Sequence, residues 1–462
     1  QRLGSYPYGT LTIAETDVAG GYGGEGVVSL GSRVLLNKQS RSTFMAHEIL
    51  HSWTDRLLAR GTEGEIGFLS EGLTTYLAYQ YVMAQPDSDA PTLRQSMTLD
   101  YMRFHNQPQD VAIRDAQATI GPVPWFGLVY QKGAMALHDL YRSLGDKPYW
   151  SMMKGLFVTY ADKSVRVADL RKLAEKASNE SLGWWFDQWV DRAGSPQLAL
   201  QGVKVEPLGT GFRLSGTVVQ TGSIYRLKVP LVVITGDREE RFQISLMREN
   251  QPFAVVVSAA PTTARLDPDY QILANRRRPP TLATTKSDSV LIVIGTQGQD
   301  LEERQAAEGL AGALAVQYQG AGTKVASMSD SVATAEDLGG APLVLLVGRP
   351  GLNAWTEKLP ELPIPLKNDR FSLKGVVYDK PSHGTMQTLL GPWRDGQVVA
   401  VYGGLGAPAL RQMATLKLGQ SPVEVVMAGE DRIIAAGTYP LADPEMSARL
   451  PATGVSAPSP AP

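Results

Sequence analysis

The sequence predicts a multidomain α+β protein: a mainly helical first domain, a small β-sandwich and a C-terminal α/β domain. Three observations carry that expectation. The 462 residues exceed what one hydrophobic core organises, and about three domains of ordinary size account for them. The apolar periodicity changes twice, from helical to alternating near residue 196 and from alternating to continuous runs near 290. Chain breakers stand at both changes: Gly194-Ser195-Pro196, then Arg276-Arg277-Arg278-Pro279-Pro280 with a Thr/Ser-rich stretch after it. The resulting division is 1–196, 197–275, a linker over 276–289, 290–445, and a disordered tail over 446–462.

Residues 1–36 read as β-rich. Leu11-Thr12-Ile13 and Val27-Val28-Ser29-Leu30 are strand candidates on either side of the glycine cluster Gly20-Gly21-Tyr22-Gly23-Gly24. From Ser42 to Arg60, Phe44, Ile49, Trp53 and Leu57 recur at mostly four-residue spacing, which predicts a helix that Gly61 stops. A second helix is predicted from Ser70, with Leu73, Tyr76, Leu77 and Tyr81 on one face. A third runs from Tyr130 to Leu144, where Gly145 suits a C-terminal cap. Helical patterning continues through Trp184-Trp185-Phe186-Asp187-Gln188-Trp189 to Arg192. Residues 198–270 alternate apolar and polar, with turns at Gly209, Gly222 and Gly236. Beyond the linker, Val290–Ile294, Leu343–Val347 and Val398–Tyr402 are continuous apolar runs interleaved with helical segments such as 301–316. That is the pattern of a mostly parallel sheet.

Composition removes several function classes. Forty-four basic residues against 46 acidic ones leave no electrostatic argument for nucleic acid or for an anionic membrane as partner. No stretch approaches the ~18 apolar residues of a membrane-spanning helix. With no cysteine there is no disulfide, thiol nucleophile or thiolate metal site. The same absence points to an oxidising, extracytoplasmic compartment, periplasmic or secreted, with a cytoplasmic location left open. The first residue is Gln1 rather than Met, which reads as processing or as a piece of something longer.

The chemistry is concentrated in His47-Glu48-Ile49-Leu50-His51. Two histidines four apart lie on one helical face, so both imidazoles can reach a single ion. Glu48 sits about 100° round the helix from His47, placed to activate an attacking water without ligating the metal. One zinc per chain, with three protein ligands and one open position, suits hydrolysis. The third ligand is expected at Glu71, twenty residues after His51 at the start of the next helix, in Phe68-Leu69-Ser70-Glu71-Gly72. Glu63 and Glu65 compete from a Gly/Thr/Glu loop that fixes neither.

His47-Glu48-Ile49-Leu50-His51-Ser52-Trp53 with Leu69-Ser70-Glu71-Gly72 resembles the H-E-x-x-H-x-W and W-L-x-E-G blocks of the M1 aminopeptidases, gluzincins that include leukotriene A4 hydrolase. Tyr130-Gln131-Lys132-Gly133-Ala134 is similar to the family's Y-x-K-G-A segment. Phe186-Asp187-Gln188-Trp189 with Gly194-Ser195-Pro196 is similar to the end of its helical region, and Ser5-Tyr6-Pro7-Tyr8 to its beginning. The resemblance covers about residues 1–270 and implies a thermolysin-like gluzincin catalytic domain over 1–196 that acts on peptide substrates. It also implies that Tyr130 stabilises the tetrahedral intermediate. Tyr22-Gly23-Gly24-Glu25-Gly26 stands in place of the family's G-x-M-E-N stretch, so Gly23, Gly24 and Glu25 become candidate substrate-binding residues, Glu25 pairing with a free α-amine.

The chain departs from the family in several places. The Met and Asn of that stretch are missing, Phe68 replaces a Trp, and Thr54-Asp55-Arg56 stands where a Gly-Asn pair is usual. The family carries an N-terminal β domain before the point that corresponds to Gln1, so the sequence reads as a processed or truncated form. The expectation is a zinc-dependent, aminopeptidase-like hydrolase acting near a free N-terminus. The alternatives are a zinc endopeptidase or M61-like peptidase with the same centre, and a catalytically silent scaffold. His105, His138 and His383 read as packed or surface residues. The turns at Gly295-Thr296-Gln297-Gly298, Gly348-Arg349-Pro350-Gly351 and Gly403-Gly404-Leu405-Gly406 match no phosphate-binding pattern. The C-terminal domain is therefore read as an accessory module through which a protein partner could dock.

Overall fold

The computed structural model describes residues 2–450 apart from 18–19, 37, 87–89, 237, 360–361, 374–375 and 440–444. The tail beyond residue 450 lies outside the described residues. The chain is a mixed α+β protein of two compact units, Gln1–Arg276 with Ala442–Pro462, and Arg277–Leu441. None of the described helices is long and apolar enough to cross a membrane.

The first unit opens with a three-stranded sheet of β1 (Thr12–Thr16), β2 (Gly21–Gly24) and β3 (Val27–Gly31). Strand β3 is central, parallel to β1 and antiparallel to β2. Helices α1 (Ser32–Leu36) and α2 (Lys38–Thr54) follow. Helix α2 ends at Thr54, six residues short of the expected Arg60, because the next residues pair as a strand. Strand β4 (Leu57–Ala59) lies parallel to β5 (Lys163–Val165), and Leu57 is buried there rather than on a helix face.

The second helical run also starts earlier than its periodicity suggested. Thr62 caps α3 (Glu63–Gly67) in a reciprocal pair with Glu65, so Glu63 and Glu65 are helical rather than in a loop. Glu65 is further tied to Arg114. The run passes through a π-helical turn, Phe68–Gly72, into α4 (Leu73–Met83). After α5 (Ala90–Tyr101), a third run is built the same way: α6 (Pro122–Trp125), a π-helical turn over Phe126–Lys132, then α7 (Gly133–Leu144). Tyr130 therefore sits inside a helical run, not at its start. Pro122 opens the run where no donor is required, and Gly145 at φ 81° closes it.

Helices α8 (Asp146–Tyr160), α9 (Val167–Ser178) and α10 (Gly183–Trp189) complete the helical part around buried Tyr76, Tyr149, Trp185 and Trp189. Asp139 of α7 is wholly buried and accepts both indole N–H bonds, from Trp185 and Trp189, each at 3.0 Å. Strands β6 (Gln197–Leu208), β7 (Gly211–Thr221), β8 (Leu227–Thr235), β9 (Arg238–Leu246), β10 (Asn250–Val257) and β11 (Thr263–Leu266) form two antiparallel sheets. One has the order β10-β7-β6, and in the other β8 lies between β9 and β11. Along β8, Leu227, Val229, Leu231 and Val233 are buried, so the alternation follows the pleat.

The second unit is a seven-stranded sheet with helices on it. Its elements are β12 (Ser289–Ile294), α11 (Leu301–Gly320), β13 (Lys324–Ser329), α12 (Ala335–Gly340), β14 (Leu343–Val347) and α13 (Ala354–Glu357). A small hairpin follows, β15 (Phe371–Leu373) with β16 (Val376–Tyr378). The rest is β17 (His383–Leu390), β18 (Val398–Gly404), α14 (Ala407–Met413), β19 (Val423–Met427) and β20 (Ala435–Gly437). The sheet order is β13-β12-β14-β18-β17-β19-β20. Pairing is parallel only from β13 to β18. Strand β17 runs against both neighbours, so the sheet is half antiparallel rather than mostly parallel. The glycine turns after β12 and β14 bond to each other, Gly295 N to Val347 O and Gln297 N to Leu352 O. The Asn353 amide donates to Val293 and Val347 carbonyls between the two strands. These contacts use the turn backbone to tie the two strand ends together.

The chain then returns to the first unit. Strand β21 (Ser447–Arg449) pairs with β11, and Met446 is buried in the first unit's core. The expectation of disorder from residue 446 is thus wrong for these residues; they carry too few apolar side chains to signal a strand, and β11 supplies the pairing. The 276–289 linker is also shorter than expected. Arg276 is buried against Asp267 in the first unit, and Thr388 of the second unit donates to the Pro280 carbonyl.

Candidate metal centre

Helix α2 carries His47, Glu48 and His51, and the π-helical turn before α4 carries Glu71. Helix α2 is stitched to α4, which continues that turn, by the Thr54 and Thr74 hydroxyls, 2.6 Å apart and buried. This arrangement brings three ligand atoms together. His47 Nε2 and His51 Nε2 are 3.1 Å apart, and Glu71 Oε2 is 3.2 Å from the first and 3.4 Å from the second. A tetrahedral ion with bonds of about 2.0–2.1 Å has ligand–ligand edges of about 3.3–3.4 Å, so this triangle fits zinc with one corner left over. Two imidazoles and a carboxylate are also the donor types such an ion takes.

The charges around the triangle respond accordingly. Burial lifts the Glu71 carboxyl, but its hydrogen bonds to His47 and His51 prevail and hold it down at about 2. Burial lowers His51, yet bonds to the Asp55 and Glu71 carboxylates raise it to about 10.

Glu48 is only 6% exposed, and burial raises its carboxyl pKa against the pull of His47 and His51, with Glu71 adding to the rise. Strand β2 lies directly on it. A Cβ at Gly21 would sit 2.9 Å from Glu48 Oε1, and one at Gly23 would sit 2.5 Å from the Glu48 carbonyl carbon. Only glycine permits that approach. Gly23 and Gly24 are accordingly buried against α2, while Glu25 occupies the exposed β2–β3 turn at φ 49°. Among the described residues, no hydrogen bond or ion pair joins Glu25 to the histidine–glutamate cluster. Its charge is felt instead at the Tyr8 hydroxyl.

Tyr130 is brought to the cluster. Its ring stacks on His47 at 6.0 Å and 15°, and burial, then the Glu71 carboxylate, pushes its hydroxyl pKa well up. The two π-helical turns meet backbone to backbone at their ends. A Cβ at Gly72 would lie 2.8 Å from the Val129 carbonyl oxygen, and one at Gly133 would lie 3.3 Å from the Gly72 Cα. Widened turns of this kind re-aim side chains, and here one holds Glu71 and the other Tyr130. Behind Tyr130, the fully buried Lys132 donates to the Arg192 and Gly194 carbonyls at 3.0 and 2.9 Å. Tyr6 packs edge-on against Trp53 at 5.3 Å, which places the first residues beside α2.

Sequence reasoning passed over two outer residues. Asp55 Oδ1 accepts from His51 Nδ1 at 2.8 Å, and the Thr75 hydroxyl lies 3.4 Å from His47 Nδ1. Asp55 is four residues after His51 and Thr75 four after Glu71, so helical spacing could have found both.

Comparison with known proteins bears on these same elements. The model of the peptidase family M1 domain matches residues 29–189. Aminopeptidase N of Streptomyces lividans is 26% identical over 167 residues, which are 33% of this chain and 19% of that protein. Aminopeptidase M1 of Arabidopsis thaliana is 24% identical over 217 residues, 44% of this chain and 23% of that one. The chain thus spans about a fifth of the length of these relatives. Aminopeptidase A of Legionella pneumophila, solved in complex with aspartic acid, superposes on 57% of this chain and 32% of its own at TM-score 0.44 and 15% identity. Residues 29–189, which hold every metal-binding candidate, form an M1-family aminopeptidase-like domain.

Proposed function

We propose that this domain is a zinc-dependent hydrolase of peptide bonds near a free N-terminus, built as a thermolysin-like gluzincin. The observation that carries the proposal is the triangle of His47 Nε2, His51 Nε2 and Glu71 Oε2, with sides of 3.1, 3.2 and 3.4 Å. Zinc, when bound, polarises the scissile carbonyl and brings the ionisation of water near neutrality. Glu48 takes the proton of the attacking water and hands it to the leaving amine. Its raised pKa suits that exchange. Tyr130, whose raised pKa keeps its hydroxyl a donor, hydrogen-bonds the developing oxyanion. The glycines of β2 let its backbone close directly over Glu48 and hold that helix turn in place.

Selectivity for a free amine is assigned to Glu25, whose side chain is at the exposed β2–β3 turn. That placement favours, as a second reading, an endopeptidase with the same centre. Turnover of free and N-acetylated aminoacyl reporter substrates separates the two. Strong preference for the free amine supports the first, and equal turnover the second. The second unit is proposed as a module for a protein partner, and an extracytoplasmic location fits a chain without cysteine.

A further inference from the structure

The outer contact of His51 is a departure specific to this chain. Thr54-Asp55-Arg56 stands where the M1 pattern usually has a Gly-Asn pair, and a glycine there offers no side chain to the ring. In this structure the Asp55 carboxylate reaches back one helical turn to the Nδ1 of His51, at 2.8 Å. Its location is otherwise unfavourable. Asp55 follows the last residue of α2, where the helix dipole presents its negative end to an anion. The adjacent Arg56 does not neutralise it, because that guanidinium pairs with Asp162. Room is nevertheless kept for it. Gly24 lies so close that a Cβ there would be 3.1 Å from Asp55 Oδ2. An aspartate placed against the dipole, with no lysine or arginine paired to it among the described residues, and hydrogen-bonded to a ligand ring has its explanation in the ring.

We propose that Asp55 is a positioning residue of the metal centre, holding His51 in the Nδ1–H tautomer with Nε2 directed at the ion. The inference rests on the zinc reading above. By accepting from Nδ1–H, Asp55 fixes the ring's rotation and raises the basicity of the ligating nitrogen, as carboxylates behind metal-bound histidines do generally. Among the described residues, His47 has the Thr75 hydroxyl at 3.4 Å in the corresponding place and no carboxylate, so the anchoring is concentrated on His51.

The test is zinc affinity, measured on the full chain by competition with a chromophoric chelator for the parent, Asp55→Ala, Asp55→Asn and His47→Ala. Asp55→Ala should bind zinc roughly 10–100-fold more weakly. Asp55→Asn should lose less, because an amide oxygen still accepts from Nδ1–H. The metal-free proteins should unfold at the parent's temperature, since Asp55 is at the surface with a side chain 36% exposed. Parental affinity in Asp55→Ala, with zinc lost in His47→Ala, would overturn the role of Asp55 and leave the metal reading standing. Parental affinity in His47→Ala would overturn both. An equal drop in unfolding temperature for both metal-free Asp55 variants would make the residue a structural one and overturn the inference.

Discussion

Gly23→Ala perturbs the contact between strand β2 and the helix bearing the metal ligands. A Cβ at residue 23 would lie 2.5 Å from the Glu48 carbonyl carbon and 2.7 Å from its Cα. Carbon atoms in contact sit about 3.5–4.0 Å apart, so the strand must retreat by about 1 Å. The atoms met are backbone, so no rotamer change relieves the clash. Overpacking of this kind costs roughly 1–3 kcal/mol. The same 1 Å shift releases the cover over Glu48, and misplacement on that scale can lower turnover by roughly 10²-fold. Zinc should be retained, because its ligands lie on α2 and the turn before α4 rather than on β2. The assay is kcat and KM on a free-amine reporter with thermal unfolding and zinc content in parallel. Gly9→Ala serves as control, since a Cβ there meets nothing within 4 Å. A Gly23→Ala protein with parental melting and parental kcat would refute the packing argument. A rise in KM alone would make Gly23 a substrate contact instead.

Further expectations concern single groups. Glu48→Gln should keep zinc and lose nearly all turnover, as measured by metal analysis and a reporter assay; full activity would remove Glu48 as base. Tyr130→Phe should lower kcat by roughly 10²–10³ with little change in KM, zinc or melting temperature, and parental kcat would reduce Tyr130 to packing. Glu25→Ala should raise KM for free-amine substrates and leave acetylated ones unchanged; no change for either would remove the amine anchor. Burial lifts Asp139 from the ordinary 3.8 to about 6, so the folded state holds that proton more tightly than the unfolded one. Stability is therefore lost as pH rises from about 4 to about 6, by roughly 3 kcal/mol. Asp139→Asn should melt above the parent at pH 8 and close to it at pH 4; a gap independent of pH would show that the carboxyl does not titrate there.

What could be read from the sequence followed the range of the interactions. His47, Glu48 and His51 lie within one helical turn, so spacing alone put both imidazoles on one side. Glu71 needed only a helix, a reversal and a second helix, and the structure brings its carboxylate to both rings. The π-helical turns under Glu71 and Tyr130 were not legible, because they follow from the backbone contact of Gly72 with the 129–133 segment, sixty residues away. Leu57 fitted a helical stripe and went to a strand because residues 163–165 offered a partner. Glu25, Gly23 and Gly24 were placed by analogy of motif; the structure sets the two glycines close to Glu48 and Asp55 and Glu25 at the exposed turn.

The return of the chain at β21 bears on how the molecule is assembled. Residues 447–449 complete an edge that β11 opened at 263–266, so this sheet closes a chain loop of well over a hundred residues. Loops of that length form slowly when flexible. The second unit is continuous in sequence, from Arg277 to Leu441, whereas the first is assembled from both ends of the chain. Deleting everything after Pro279 would therefore leave β11 as a bare edge and expose the space filled by Met446. Excising 277–441 with a flexible bridge in its place would leave both strands to meet.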